Sequence, residues 1–285
     1  MNAIQIKNIT KSYNDIKALD NVSFSFEFGK IYGFLGRNGA GKSTLINIIA
    51  NRVFADKGDI LIDDITAKEN IAVQEKIFCM SEADLYDKDL KIKEHFKWIN
   101  RFYETFDMTK AVEISEKFNL NTNKKFKALS KGYQSIFKLT VALSLNVPYI
   151  IFDEPVLGLD ANHRELFYNL LLKEYENDER TFIIATHLIE EVANIVEEVV
   201  LIDEGKVLLQ ANVGTLLETG YSVSGVAQEV DNYCVDKNVI GYDELGGLKI
   251  AYILGGKTIT KNSNLQISTM NLQKLFVKLT EKGGQ

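Results

Sequence analysis

Gly36-Arg37-Asn38-Gly39-Ala40-Gly41-Lys42-Ser43-Thr44 fits the phosphate-loop pattern G-x-x-x-x-G-K-[ST]. The apolar run Ile31-Tyr32-Gly33-Phe34-Leu35 precedes it and reads as a strand. Thr44-Leu45-Ile46-Asn47-Ile48-Ile49-Ala50 follows and reads as the start of a buried helix. A loop between strand and helix turns its backbone N–H groups toward one point, and the helix N-terminus adds positive potential there. Gly36, Gly39 and Gly41 let the backbone approach a phosphate where a Cβ would obstruct it. The pattern assigns Lys42 to the β- and γ-phosphates and Ser43 to Mg²⁺, with Asn38, Ala40 and Thr44 completing the loop.

Working outward, the 285 residues are long enough for one large domain plus a smaller one. The formal net charge of -6 does not favour a nucleic-acid partner. The cysteines are Cys79 and Cys234, far apart and in no metal-like spacing, which points to a reducing compartment without a disulfide framework. His95, His163 and His187 also lack ligand spacing. The N-terminus does not read as a signal peptide. The longest uncharged apolar stretch, Leu139 to Phe152, is interrupted by Pro148 and falls short of the roughly 20 residues a bilayer span needs.

Residues 3–9 and 22–35 alternate apolar and polar positions, with Gly29-Lys30 as a turn, so the chain starts rich in β-structure. Short strands follow at Gly58 to Asp63 and Lys76 to Met80. From about residue 87 to 146 helical periodicity takes over, with Phe96, Ile99 and Phe102-Tyr103 at helical spacing, and predicts an insertion of three or four helices. Strands then return at 149–152, 181–185 and 199–203, alternating with helices at 162–176 and 188–196, which argues a largely parallel α/β sheet. Residues past about 220 read as a Gly-richer unit ending in an amphipathic helix with Leu272, Leu275, Phe276 and Leu279 on one face.

The second strong signal is Tyr149-Ile150-Ile151-Phe152-Asp153-Glu154-Pro155, a buried strand that ends in adjacent carboxylates. Ligands of open α/β sheets bind beyond the carboxyl ends of the strands. Asp153 is thereby expected near the phosphate loop, placed to hold Mg²⁺ directly or through water, and Glu154 is expected to polarise an attacking water. Pro148 and Pro155, the only prolines, bracket the strand.

From about residue 2 to 215 these motifs resemble the ATP-binding cassette (ABC) ATPases. Leu129-Ser130-Lys131-Gly132-Tyr133 is similar to the family's LSGGQ signature, with Lys131 in place of Gly and Tyr133 in place of Gln. Its Ser130 and Gly132 open a helix, an anion site in its own right. The resemblance implies that this site closes on the γ-phosphate of ATP held by the opposite subunit. It also implies that Tyr13 stacks on adenine, a contact worth ~1–3 kcal/mol. Glu82 falls where the family has the Q-loop glutamine, and is expected to coordinate Mg²⁺ or its water. Gly158-Leu159-Asp160 resembles the D-loop of the dimer interface. His187 resembles the switch histidine that contacts the γ-phosphate.

The implied fold is that of an ABC ATPase: a RecA-like mixed sheet core, an antiparallel β subdomain and a helical insertion at about 87–146, within a domain of residues 1–218. A small α+β accessory unit over 219–285 follows. The implied activity is ATP hydrolysis that powers a membrane exporter of peptides or toxic small molecules. The implied partners are a transmembrane permease on a separate chain and a second cassette, identical or not, with no nucleic acid. The location is then the cytoplasmic face of the membrane. Residues about 82–103, with Leu85, Tyr86, Phe96 and Trp98, are candidates for the permease contact; the other reading of these aromatics is the insertion's own core. An ABC protein acting on ribosomes or DNA is the alternative function, although the tandem cassettes or coiled-coil inserts of that class are missing here. A nucleotide-gated binding or immunity module with little turnover is another.

Overall fold

The computed structural model describes residues 3–81, 83, 85–256 and 264–281. The chain opens with a hairpin, β1 (Ala3–Tyr13) and β2 (Ile16–Glu27), followed by β3 (Ile31–Leu35) and α1 (Lys42–Ile49). Next come β4 (Lys57–Ile62), β5 (Ile65–Thr66), the short α2 (Ile71–Gln74) and β6 (Ile77–Met80). The helical stretch is α3 (Ile92–Phe102), α4 (Met108–Lys117) and α5 (Lys131–Leu143), with a 3₁₀ turn at Phe126–Ala128. Strands and helices then alternate: β7 (Tyr149–Asp153), α6 (Ala161–Asn177), β8 (Thr181–Thr186), α7 (Ile189–Val192), β9 (Glu198–Asp203) and β10 (Lys206–Asn212). The chain ends with α8 (Val213–Thr219), β11 (Gly220–Val226), α9 (Ala227–Cys234), β12 (Val239–Leu245), β13 (Leu248–Leu254), β14 (Gln266–Thr269) and α10 (Leu272–Thr280).

The central sheet runs β10-β9-β3-β8-β7-β6, parallel except for β10. All residues of β3, β7 and β8 are buried, as expected for parallel strands covered on both faces. Register decides where the chemistry goes. Leu35 pairs with Thr186 and Asp153 with Ala185, so β3, β8 and β7 end level with one another. The segments that leave these ends are the glycine-rich loop, Thr186-His187 and Asp153-Glu154.

A second, antiparallel sheet runs β2-β1-β4-β5 and packs its apolar face over α1 and the central sheet. Its hairpin is longer than the alternation at 22–35 suggested, because Asn14 adopts φ 51° and lets the chain reverse tightly into Ile16. The helix expected over 188–196 contracts to the single turn of α7. Glu197 N already donates to Ile31 O at 2.9 Å, so the chain is committed to the sheet by then.

The helical insertion is built on buried Phe96, Phe118, Phe126 and Phe137. Its lower end is pinned to the core by ions. Arg180, 2% exposed, donates to Glu174 at 2.6 Å and to Leu145 O at 2.8 Å. Lys110 of α4 also pairs with Glu174 of α6. A third sheet, β12-β13-β11-β14, carries α9 against Tyr221, Val223 and Ile253. α10 turns Leu272, Leu275 and Phe276 into the same apolar cluster as α6 and α7, so the C-terminal helix shares the main core.

Candidate active site

The loop after β3 is shaped by what lies behind it. Gly41 has φ +108°, and a Cβ there would sit 2.6 Å from Ala18 O of β2. Gly36 is excluded from carrying a side chain by packing, since its Cβ would lie 2.6 Å from Ile202 O of β9. Gly39, at φ +84°, has nothing within 4 Å of its Cβ position, so that side of the loop faces open space. Ala40 O accepts from Gly205 N at 3.0 Å, which ties the loop to the β9–β10 turn. No side chain caps α1 at Gly41. The first-turn N–H groups of α1 thus lack a side-chain acceptor, as a phosphate site requires.

Lys42 is buried, at 6% exposure, and its ammonium donates to Gly36 O at 2.6 Å and Arg37 O at 3.3 Å. It also lies 3.7 Å from Glu154 Oε1. Burial lowers its pKa, against the opposing pull of the Glu154 and Asp153 charges. Ser43 Oγ donates to Asp153 Oδ1 at 3.2 Å. These hard oxygens suit Mg²⁺, which takes one or two protein ligands and completes its shell with phosphate and water. Among the described residues no cluster of three or more His, Cys, Asp or Glu forms a metal cage.

Glu154 is held from four directions. Its φ is +49°, a left-handed conformation that costs on the order of 1–3 kcal/mol for a residue with a side chain. Its N–H donates to Ala185 O at 2.9 Å. Its Oε2 accepts from Thr186 Oγ1 at 2.9 Å. Its Oε1 accepts from His187 N at 3.2 Å and lies 2.9 Å from His187 Nδ1, which donates in the Nδ1–H tautomer. Thr186 Oγ1 in turn accepts from Leu188 N at 3.0 Å. The sequence reading missed Thr186. A hydroxyl at the last position of a strand beside the histidine was the available signal.

Lys42, Ser43, Asp153, Glu154 and His187 therefore meet at one sheet edge. Ser130 and Gly132 lie at the N-terminus of α5. Ser130 caps α5 by accepting from Tyr133 N at 3.3 Å. Gly132 lies against the Gly158 turn, where a Cβ would stand 2.9 Å from Gly158 O. Behind that turn Arg164 Nε donates to Leu159 O at 2.9 Å. Tyr13 ends β1 with its ring about half exposed, in the hairpin whose second strand backs Gly41. Glu82 lies outside the described residues. His95 is buried in the insertion with Nε2 2.9 Å from Asp87 O, and His163 pairs with Asp160; neither faces the site.

Beside the insertion runs a groove of about 780 Å³, whose walls include Ile71, Gln74, Leu85, Trp98 and Phe102. Leu85, Trp98 and Phe102 are exposed there. Phe96 belongs to the core, and Tyr86 packs its ring 4.8 Å from Phe137. Among the described residues no helix is long and apolar enough to cross a membrane.

Comparison with known proteins agrees with this geometry. The sequence profile of the ABC transporter family matches residues 19–157. The ABC transporter ATP-binding protein YtrB of Bacillus subtilis is 29% identical over 202 residues, 70% of this chain and 69% of that protein. The SkfA peptide export ATP-binding protein SkfE of the same organism is 30% identical over 217 residues, 73% of this chain and 88% of that protein. A solved dimeric bacterial ABC transporter cassette superposes with a TM-score of 0.67 at 28% identity, covering 74% of this chain and 98% of that one. The level ends of β3, β7 and β8, the loop they carry and these likenesses agree: the chain belongs to the ABC transporter ATP-binding proteins, a family of ATPases.

Proposed function

We propose that this chain binds Mg²⁺-ATP and hydrolyses it to power a membrane exporter of peptides or small toxic molecules. The observation that carries the hydrolytic reading is the convergence of Lys42, Ser43, Asp153, Glu154 and His187 at one sheet edge. Phosphoryl transfer depends on positioning and charge stabilisation more than on covalent chemistry. Lys42 neutralises charge on the transferred phosphoryl group. Ser43 and Asp153, with Glu82, would hold Mg²⁺, which supplies further charge neutralisation when bound. Glu154 takes the proton of the attacking water, and His187 keeps that carboxylate oriented. Gly36, Asn38, Gly39, Ala40, Gly41 and Thr44 contribute backbone and hydroxyl donors, and Tyr13 stacks on the base.

Ser130 and Gly132 act on a second cassette rather than on their own phosphate loop, in a dimer of identical or related chains. This assignment is supported by the place of the two residues, Ser130 capping α5 by accepting from Tyr133 N and Gly132 against the Gly158 turn. The groove with exposed Leu85, Trp98 and Phe102 would receive a transmembrane permease on a separate chain, holding the protein at the cytoplasmic face. Residues 1–218 are the nucleotide-binding domain and 219–285 the accessory unit. The name of SkfE supports a peptide cargo.

The test is Glu154→Gln beside Lys42→Ala. Glu154→Gln is expected to bind ATP and lose turnover by about 10²-fold or more, while Lys42→Ala loses both. Unchanged turnover in Glu154→Gln removes that residue from the base role.

A further inference from the structure

α10 lies directly against α7, the single turn that follows His187. A helix this short has too few hydrogen bonds to hold its shape alone in water. Its position is therefore set by what packs on it. Ile189 and Val192 are buried in the same apolar cluster as Leu272, Leu275 and Phe276 of α10. The Gln273 carboxamide faces the Glu190 carboxylate and donates to it when its nitrogen is assigned to that side, the orientation that satisfies both groups. The next residue, Glu191, accepts from Arg164 Nη1 at 2.6 Å. That guanidinium also holds Leu159 O, so α7 is linked on one side to the Gly158-Leu159-Asp160 turn and on the other to the C-terminal helix.

His187 itself borders a cavity of about 220 Å³. Gln273, Phe276 and Val277 of α10 form one wall, and Leu188 and Glu190 belong to the other. Space of this size beside the histidine gives the segment room to shift. The wall supplied by α10 is what limits that shift. α10 is in turn fastened to its own sheet, where Lys278 Nζ donates to Asp243 at 2.5 Å and Lys274 Nζ at 3.0 Å.

We propose that α10 positions His187: Phe276 and Gln273 hold α7 so that the imidazole stays on Glu154, and the C-terminal unit thereby sets the rate of hydrolysis without touching nucleotide. Phe276 and Gln273 are positioning residues, not catalytic ones. The proposal rests on the reading that Glu154 and His187 serve ATP hydrolysis.

The full chain is compared with its Phe276→Ala, Phe276→Leu and Gln273→Ala variants by steady-state ATPase and by backbone amide hydrogen exchange. Phe276→Ala is expected to lower kcat about tenfold and Gln273→Ala about threefold, with KM for ATP unchanged within about twofold. Exchange should accelerate over residues 187–193 and stay as it was over 36–50. Phe276→Leu should restore most of the rate. The proposal is overturned if Gln273→Ala leaves both kcat and exchange over 187–193 unchanged, or if KM rises in step with the loss of kcat. Should the unaltered chain hydrolyse no ATP, or Lys42→Ala keep full turnover, the hydrolytic reading itself fails. Exchange over 187–193 then still reports whether α10 holds α7.

Discussion

Glu154 Oε1 and His187 Nδ1 lie 2.9 Å apart, and the same oxygen accepts from the His187 backbone N–H at 3.2 Å. The histidine thus fixes the carboxylate twice, through its ring and its main chain. Only the ring contact is removable by substitution. His187→Ala should therefore lower kcat by roughly 10²-fold while equilibrium binding of ATP changes little, because Lys42 and the glycine-rich loop are untouched. A fall in ATP affinity as large as the fall in kcat would place His187 in binding instead.

Thr186 Oγ1 holds the other carboxylate oxygen at 2.9 Å and is itself 1% exposed. A hydrogen bond to a charged group contributes about 1.5–3 kcal/mol, so Thr186→Val should cost at least about tenfold in kcat. Thr186→Ser keeps the hydroxyl and should retain most of the rate. Single-turnover ATPase kinetics at saturating ATP would separate these outcomes. Equal activity in the Val and Ser variants would show that the hydroxyl does not orient Glu154.

How this site came to be legible in the sequence differs from residue to residue. The glycine-rich loop and the Asp153-Glu154 pair sit on the strongest apolar strands, whose full burial leaves a continuous hydrophobic run. Both strand and loop could be read there without any contact being known. The helical insertion was visible because Phe96, Ile99 and Phe102 repeat at helical spacing. Which of its aromatics face outward was not, since Phe96 and Trp98 lie two apart on one helix and it is packing against Phe106 and Phe137 that sends Phe96 inward. Thr186 escaped notice because its role needs the register between β7 and β8. The reason for Gly36 escaped for the same cause: it depends on Ile202, a residue 166 positions away in sequence (202 − 36). The docking of α10 on α7 is a long-range contact that no local pattern encodes.

Arg180 and Glu174 offer a test of how the insertion is anchored. Arg180 is 2% exposed and Glu174 7%, and Lys110 is a second cation on that carboxylate. Removing one partner of such a buried pair leaves a charge without compensation, at a cost of about 3–5 kcal/mol. Glu174→Ala takes the carboxylate from both cations, leaving Arg180 only the longer 3.7 Å pair with Asp178, and should be the more damaging change. Arg180→Met leaves Glu174 with Lys110 and should cost less. Urea denaturation of the full chain would rank the two; the reverse order would mean that Lys110 contributes nothing to the anchor.

Asp243 predicts where α10 loosens with acid. Burial pushes its carboxyl pKa up, but hydrogen bonds from Lys278, Tyr252 and Lys274 outweigh that and bring it down to about 2. The unfolded carboxyl titrates near about 3.9. Because the folded value is the lower one, the stabilisation is complete above pH ~4 and is lost as pH falls toward ~2. The Asp243 side chain is 42% exposed, so solvent screening keeps the effect modest. Asp243→Asn should weaken the hold on Lys278 and Lys274 at neutral pH and flatten the acid dependence of α10. Amide hydrogen exchange of residues 272–280, measured from pH 5 to pH 2.5 and corrected for intrinsic rates, would check this. Protection that fades equally in Asp243→Asn would assign the acid sensitivity to another carboxylate.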